Sequence, residues 1–164
     1  MRSLRNLGLP LVLLLAAACS QKSSDQSAAP SQPAAAPAPQ PAAAALQRQK
    51  APAGAKASFV GIRQGDTVTS PFKVGFAVEG LRIAPAGTAD PDTGHFHLII
   101  DADLPPQDVP LPASDHVKHY GKGQAEDTLS LPPGQHSLQI ELADGAHVPF
   151  DPPVVSERIT VTVK

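Results

Sequence analysis

Sulfur and basic charge are scarce in this chain, and each scarcity closes a class of function. A single cysteine, Cys19, rules out an internal disulfide, a Cys-based zinc site and a redox pair. Met1 is the one methionine, so no thioether is left for a soft-metal site once the amino terminus is processed. The formal charge is -2, which excludes a global basic field able to hold nucleic acid. What is abundant is proline, 19 residues against 12 glycines in a chain of 164, with 41% apolar and 17% charged residues. That length and composition suit one domain of ordinary size joined to something that cannot build a core.

The amino terminus explains part of that second component. Arg2 and Arg5 form a basic start, and Leu7 to Ala18 is an apolar run too short to span a bilayer comfortably. The run ends in Leu15-Ala16-Ala17-Ala18-Cys19, which resembles the lipobox of bacterial lipoproteins. The resemblance implies a signal peptide over 1–18 and an acylated Cys19, with membrane attachment through several acyl chains. Ser20 follows, not the Asp of an inner-membrane retention signal, so the expected address is the outer membrane, facing the periplasm. Residues 19–56 then run through Ala, Pro, Gln and Ser with almost no large apolar side chain, and are expected to form a disordered tether. As a flexible coil its reach is roughly 35 Å.

Residues 57–164 are expected to form the folded domain, and they carry seven Lys and Arg against fourteen Asp and Glu, an acidic balance that attracts cations. The pattern reads as all-β. Phe72, Val74, Phe76 and Val78 alternate along one strand, and Phe96, Leu98 and Ile100 alternate with His95, His97 and Ile99 along another. Leu104 to Pro112 is too proline-rich for a central strand. Thr128 to Leu131 and Gln135 to Leu142, joined by Pro132-Pro133-Gly134, are expected to pair as a hairpin. Val154 to Val163 supplies the last strand. About seven short strands with regular turn signals suit an immunoglobulin-like antiparallel β-sandwich, with an up-and-down barrel as the alternative.

All six histidines, His95, His97, His116, His119, His136 and His147, fall inside the predicted domain. His95 and His97 share one strand face about 7 Å apart, a spacing from which two rings can converge on one ion. His116 and His119, three apart, converge if their segment makes a helical turn. His136 shares the parity of Leu138 and is expected to point inward, whereas His147 sits in the following loop. His95, His97, His119, His136 and His147 are therefore the candidate metal ligands, with His116 and Asp101 as additional ones and Asp115 and Asp144 as nearby carboxylates. Such a donor set suits copper(II) or zinc. The competing reading gives the histidines structural hydrogen bonds to carbonyls and carboxylates.

Longer stretches carry a family resemblance. Gly65-Asp66-Thr67-Val68-Thr69-Ser70-Pro71-Phe72, Thr93-Gly94-His95-Phe96-His97-Leu98-Ile99-Ile100-Asp101, His119-Tyr120-Gly121-Lys122-Gly123-Gln124 and His147-Val148-Pro149-Phe150-Asp151-Pro152-Pro153 resemble the bacterial domain of unknown function 4399. Relatives commonly carry a third consecutive histidine where Phe96 stands, Phe for Tyr120, and often His for Phe150. The resemblance implies export and covers about Phe59 to Val163, but it supplies no established activity.

No Gly-x-Ser-x-Gly elbow and no His-Glu-x-x-His helix occurs, and Gly121-Lys122-Gly123 lacks the rest of a P-loop, so a non-enzymatic role is expected. Two such roles stand open: a lipoprotein that binds a divalent transition metal, or an envelope module that binds a protein or glycan through Asp108, Asp115, Tyr120 and Phe150; a metal-dependent oxidoreductase or hydrolase built on the histidines ranks behind both.

Overall fold

The computed structural model describes residues 46–164; the signal segment, Cys19 and most of the tether lie outside the described residues. Among those described, the chain forms nine strands and no helix: β1 (Lys56–Val60), β2 (Thr67–Val68), β3 (Phe72–Glu79), β4 (Arg82–Ile83), β5 (Thr93–Ile100), β6 (Val117–His119), β7 (Glu126–Leu129), β8 (Gly134–Ala143) and β9 (Ile159–Val163). They build a three-stranded sheet, β1-β3-β7, and a six-stranded sheet, β2-β9-β8-β5-β4, with β6 added beside β5. Most pairs are antiparallel; β2–β9 and β4–β5 are parallel.

The two sheets enclose one core, giving an all-β sandwich. Val74 and Phe76 of β3 meet Phe96 and Leu98 of β5, Ile140 and Leu142 of β8, and Val161 of β9 in a single apolar cluster. Alternation along each strand sends these side chains inward. Phe76 is the hub, with ring centroids 5.5 Å from Phe96 and 4.8 Å from Tyr120. Each such ring removes some 150–250 Å² from water, and Phe72 and Phe150 add two more buried rings to the same core.

The expected hairpin between Thr128 and Leu142 does not form. β7 pairs with β3 in the small sheet, whereas β8 pairs with β5 and β9 in the large one. Pro132-Pro133-Gly134 thus carries the chain from one sheet to the other. Proline cannot donate to a ladder, which favours such a crossing over a paired turn. The last strand is also shorter than expected: Ile159–Val163 is regular, and Val155 keeps only an isolated bridge to Glu141.

β5 departs from the one-faced pattern of an outer strand, because seven of its eight residues are buried. Its inner face meets the core; its outer face carries His95, His97 and Ile99 under the proline-rich segment that follows. The domain also begins earlier than position 57. Ala51 donates its N–H to Asp151 O at 2.8 Å, Asp151 donates to Gln49 O at 2.8 Å, and Arg48 hydrogen-bonds the carbonyls of Pro149 and Phe150. A composition rich in Ala, Pro and Gln conceals this attachment, because it depends on backbone bonds and one guanidinium and not on apolar side chains.

Candidate metal centre

The antiparallel register of β5 sets the site. His97 lies directly opposite His119 of β6 on one side and Glu141 of β8 on the other. His95, two residues earlier, shares the face of His97 and stands opposite Ala143. A small residue there leaves room for the loop that follows β8 to fold back, and His147 comes from that loop.

That loop is built by Asp144. Its Oδ1 accepts the N–H groups of Ala146 and Val148 at 2.9 and 3.0 Å, and its main-chain carbonyl accepts the His147 N–H at 3.0 Å. The His147 carbonyl accepts the Leu111 N–H at 2.8 Å. These bonds hold His147 at a φ of 67°, a left-handed conformation that a non-glycine residue adopts at some cost. Asp144 thus shapes the loop and is not a member of the ligand group.

The result is a cluster of His95, His97, His119 and His147, each offering one ring nitrogen, with all four nitrogens within 4.8 Å of one another. Ring centroids are 4.7 to 5.9 Å apart across the six pairs. Four nitrogens about 2.1 Å from a central zinc would lie about 3.4 Å apart, a little closer than the upper separation in this cluster. The Nε2 atoms of His119 and His147 already stand 3.2 Å apart. His95 and His97 are buried, His147 is half-buried and His119 is exposed, so the cluster has a closed back and an open front. At the front is a cleft of about 270 Å³ between His97, His119 and His147 and the wall formed by Pro110, Leu111, Pro112 and Ala113.

His119 owes its place to Gly121. A Cβ at that position would lie 2.2 Å from His119 Cε1 and 2.4 Å from Nε2, so the ring occupies the space a side chain would take. Gly121-Lys122-Gly123 forms a tight turn beside Tyr120, with the Gly123 N–H donating to Tyr120 O at 3.1 Å.

Electrostatics favour the neutral form of His95, His97 and His119. Burial, reinforced by repulsion from His147 and His119, lowers the pKa of His95 from 6.5 to about 4. Burial and the three neighbouring rings lower that of His97 to about 3. His119 is lowered in the same direction, by burial first and then by His147. Neutral imidazole is the metal-binding form. Both nitrogens of His95 and Nδ1 of His97 are buried without a hydrogen-bond partner among the described residues, whereas most buried polar atoms find one.

The other candidates go elsewhere. His136 is buried, as its parity suggested, but its Nδ1 bonds Asp101 Oδ2 at 2.6 Å and its Nε2 bonds Pro132 O at 2.9 Å. It stands apart from the four, and Asp101 is committed to it and to the Ser137 N–H. His116 is exposed, with Nδ1 2.9 Å from Ile100 O. No helical turn joins His116 to His119; strand pairing, not helical spacing, brings His119 in.

Of the residues considered for a macromolecular partner, Asp108 and Asp115 are exposed, but Tyr120 and Phe150 are not. Tyr120 packs on Phe76 and donates its hydroxyl to Asp127 Oδ2 at 2.9 Å, and Phe150 is fully buried in the core. Phe96 likewise points to the core, away from His95 and His97, so a phenylalanine there takes nothing from the cluster.

Sequence patterning passed over Arg48, Gln107 and Glu141. Glu141 is fully buried on the cluster's face, with Oε1 accepting a 2.7 Å hydrogen bond from Gln107. Its one signal was a charge at an outward position of the strand, flanked by apolar Ile140 and Leu142.

No match was found among curated proteins or among solved structures. The family model described as a domain of unknown function, DUF4399, matches residues 74–164, more than half of the chain and a span that contains all four clustered histidines; the chain belongs to that family.

Proposed function

We propose that this is an exported, lipid-anchored envelope protein whose sandwich holds one divalent transition ion, copper(II) or zinc, for storage, delivery or structure. The observation that carries the reading is the convergence of four imidazole nitrogens within 4.8 Å, with both nitrogens of His95 and Nδ1 of His97 buried without partners among the described residues. Burying unpaired polar atoms costs about 1–3 kcal/mol each, a cost that an ion bound between them would offset. The donor set is all nitrogen, which suits zinc and copper(II) and not the oxygen-seeking calcium or magnesium. The lipobox-like Leu15 to Cys19 supports the envelope address. Two of the four residues that would serve a protein or glycan partner are buried, which favours the metal over that alternative.

Calorimetric titration of the full chain with zinc and copper(II), beside a His95→Ala, His97→Ala double variant, tests it. Submicromolar binding by the wild type and its loss in the variant are expected. Binding no tighter than millimolar would refute the proposal.

A further inference from the structure

Four neutral imidazoles bring no negative charge to a divalent ion. Glu141 is a carboxylate on the cluster's face, directly opposite His97 across the β5–β8 ladder. Directly opposed residues have Cβ atoms about 4.5–5.5 Å apart and their side chains on the same face of the sheet. Glu141 is fully buried, and its Oε2 has no hydrogen-bond partner among the described residues. The same holds for Nδ1 of His97, on the residue it faces. One is an acceptor and the other a nitrogen that can carry a proton, and each lacks a partner.

We infer that Glu141 is the positioning carboxylate of the metal centre: His97 ligates through Nε2 and donates Nδ1–H to Glu141, which also supplies the charge that the four rings lack. A metal-ligating histidine almost always gives its other ring N–H to a carboxylate or carbonyl, which fixes the tautomer and the ring's orientation. The inference rests on the metal reading above.

Gln107 is the second half of the device. It reaches in from the proline-rich segment, and its Nε2 donates to Glu141 Oε1 at 2.7 Å and to Pro105 O at 2.8 Å. One carboxylate oxygen is thereby pinned and the other left for His97. The same segment supplies the wall of the cleft at Pro110 to Ala113 and the N–H of Leu111 that holds the His147 carbonyl. A single stretch of chain thus braces two of the four rings, one through Gln107 and Glu141 and the other through Leu111.

The test uses the full chain with zinc and two variants, Glu141→Gln and Glu141→Leu. The affinity of Glu141→Leu should fall about 10–100-fold, and Glu141→Gln, which keeps an acceptor oxygen but not the charge, should fall less. Nitrogen-15 NMR of the zinc-loaded wild type should show the His97 ring ligated at Nε2 with a protected Nδ1–H, and Glu141→Leu should lose that protection. If Glu141→Leu does not fold, the near-isosteric Glu141→Gln carries the test through affinity, which should still fall because the charge is gone. Wild-type affinity and an unchanged His97 tautomer in the folded variants would overturn this inference and leave the metal reading standing. Failure of the wild type itself to bind zinc or copper(II) would overturn both.

Discussion

Two histidine environments lie within the large sheet, and they differ in what surrounds the ring. His136 places Nδ1 against the Asp101 carboxylate and Nε2 against the Pro132 carbonyl, both acceptors, so the ring is satisfied only when both nitrogens carry protons. Its pKa is raised, chiefly by the bond to Asp101. His95 has neither nitrogen paired among the described residues and lies buried among three other imidazoles, and its pKa falls to about 4. Both rings are buried, so burial alone does not settle what a histidine does. A nearby acceptor turns one ring into a structural cation, and the lack of one leaves the other a neutral donor.

The contrast is sharpest in acid. An unfolded chain protonates its histidines near the ordinary pKa of 6.5, whereas folded His95 and His97 resist until about 4 and about 3. The unfolded state therefore binds more protons over that interval, and stability must fall as the pH drops below 6.5. The loss should reach on the order of 6 kcal/mol near pH 4, about 3 from each ring, from shifts worth about 1.4 kcal/mol per pH unit. Urea melts of the metal-free chain between pH 7 and pH 4 measure it, and His95→Gln with His97→Gln should remove most of it. A wild-type curve that stays flat would erase the distinction between the two environments.

A smaller effect is expected at Gly121. Gly121→Ala places a methyl group where the His119 ring lies, and the exposed ring can swing away at little cost to the fold. Zinc affinity should drop about 10–100-fold, as for other losses of ligand positioning, with the metal-free melting temperature nearly unchanged. Competition titration against a chromophoric chelator reads the drop. Unchanged affinity would remove His119 from the ligand set.

The smallest effect lies at the other environment. His136→Ala should leave metal affinity alone and cost about 1–2 kcal/mol through its lost hydrogen bonds. Because its folded pKa is raised, the stabilisation is complete below pH 6.5 and disappears as the pH climbs through the raised value. The Asp101 pKa is lowered below 3.8, so on the acid side the pair weakens only as the pH falls through that depressed value; exposed His116 is the other titratable group near Asp101. The melting difference between wild type and variant should therefore shrink on the alkaline side. A difference that persists well above neutral pH would mean that the ring works uncharged.

These contrasts divide what the sequence made legible from what it did not. Period-two alternation placed His95 and His97 on one face and Phe96 on the other, because parity is local to a strand. The same rule turned His136 inward. What it could not supply was the long-range register that sets His119 and Glu141 on either side of His97, since pairing partners are chosen by the whole sheet. His147 was placed in a loop, but the fold of that loop depends on Asp144, whose carboxylate engages two N–H groups within four residues. The hairpin expected around Pro132-Pro133-Gly134 failed for a related reason: turn residues announce a change of direction without saying which sheet receives the next strand.

The attachment of Arg48 and Gln49 has a mechanical meaning. Arg48 grips the Pro149 and Phe150 carbonyls, Gln49 donates to Asp144 Oδ2 at 3.3 Å, and Lys50 bridges in parallel to Asp151. These contacts fall on the stretch 144–151 that carries His147. A pull on the chain ahead of Arg48 therefore reaches the fourth ring's loop before it reaches the interior of either sheet. The clustered ring with the left-handed backbone is thus also the part of the domain that would register tension first.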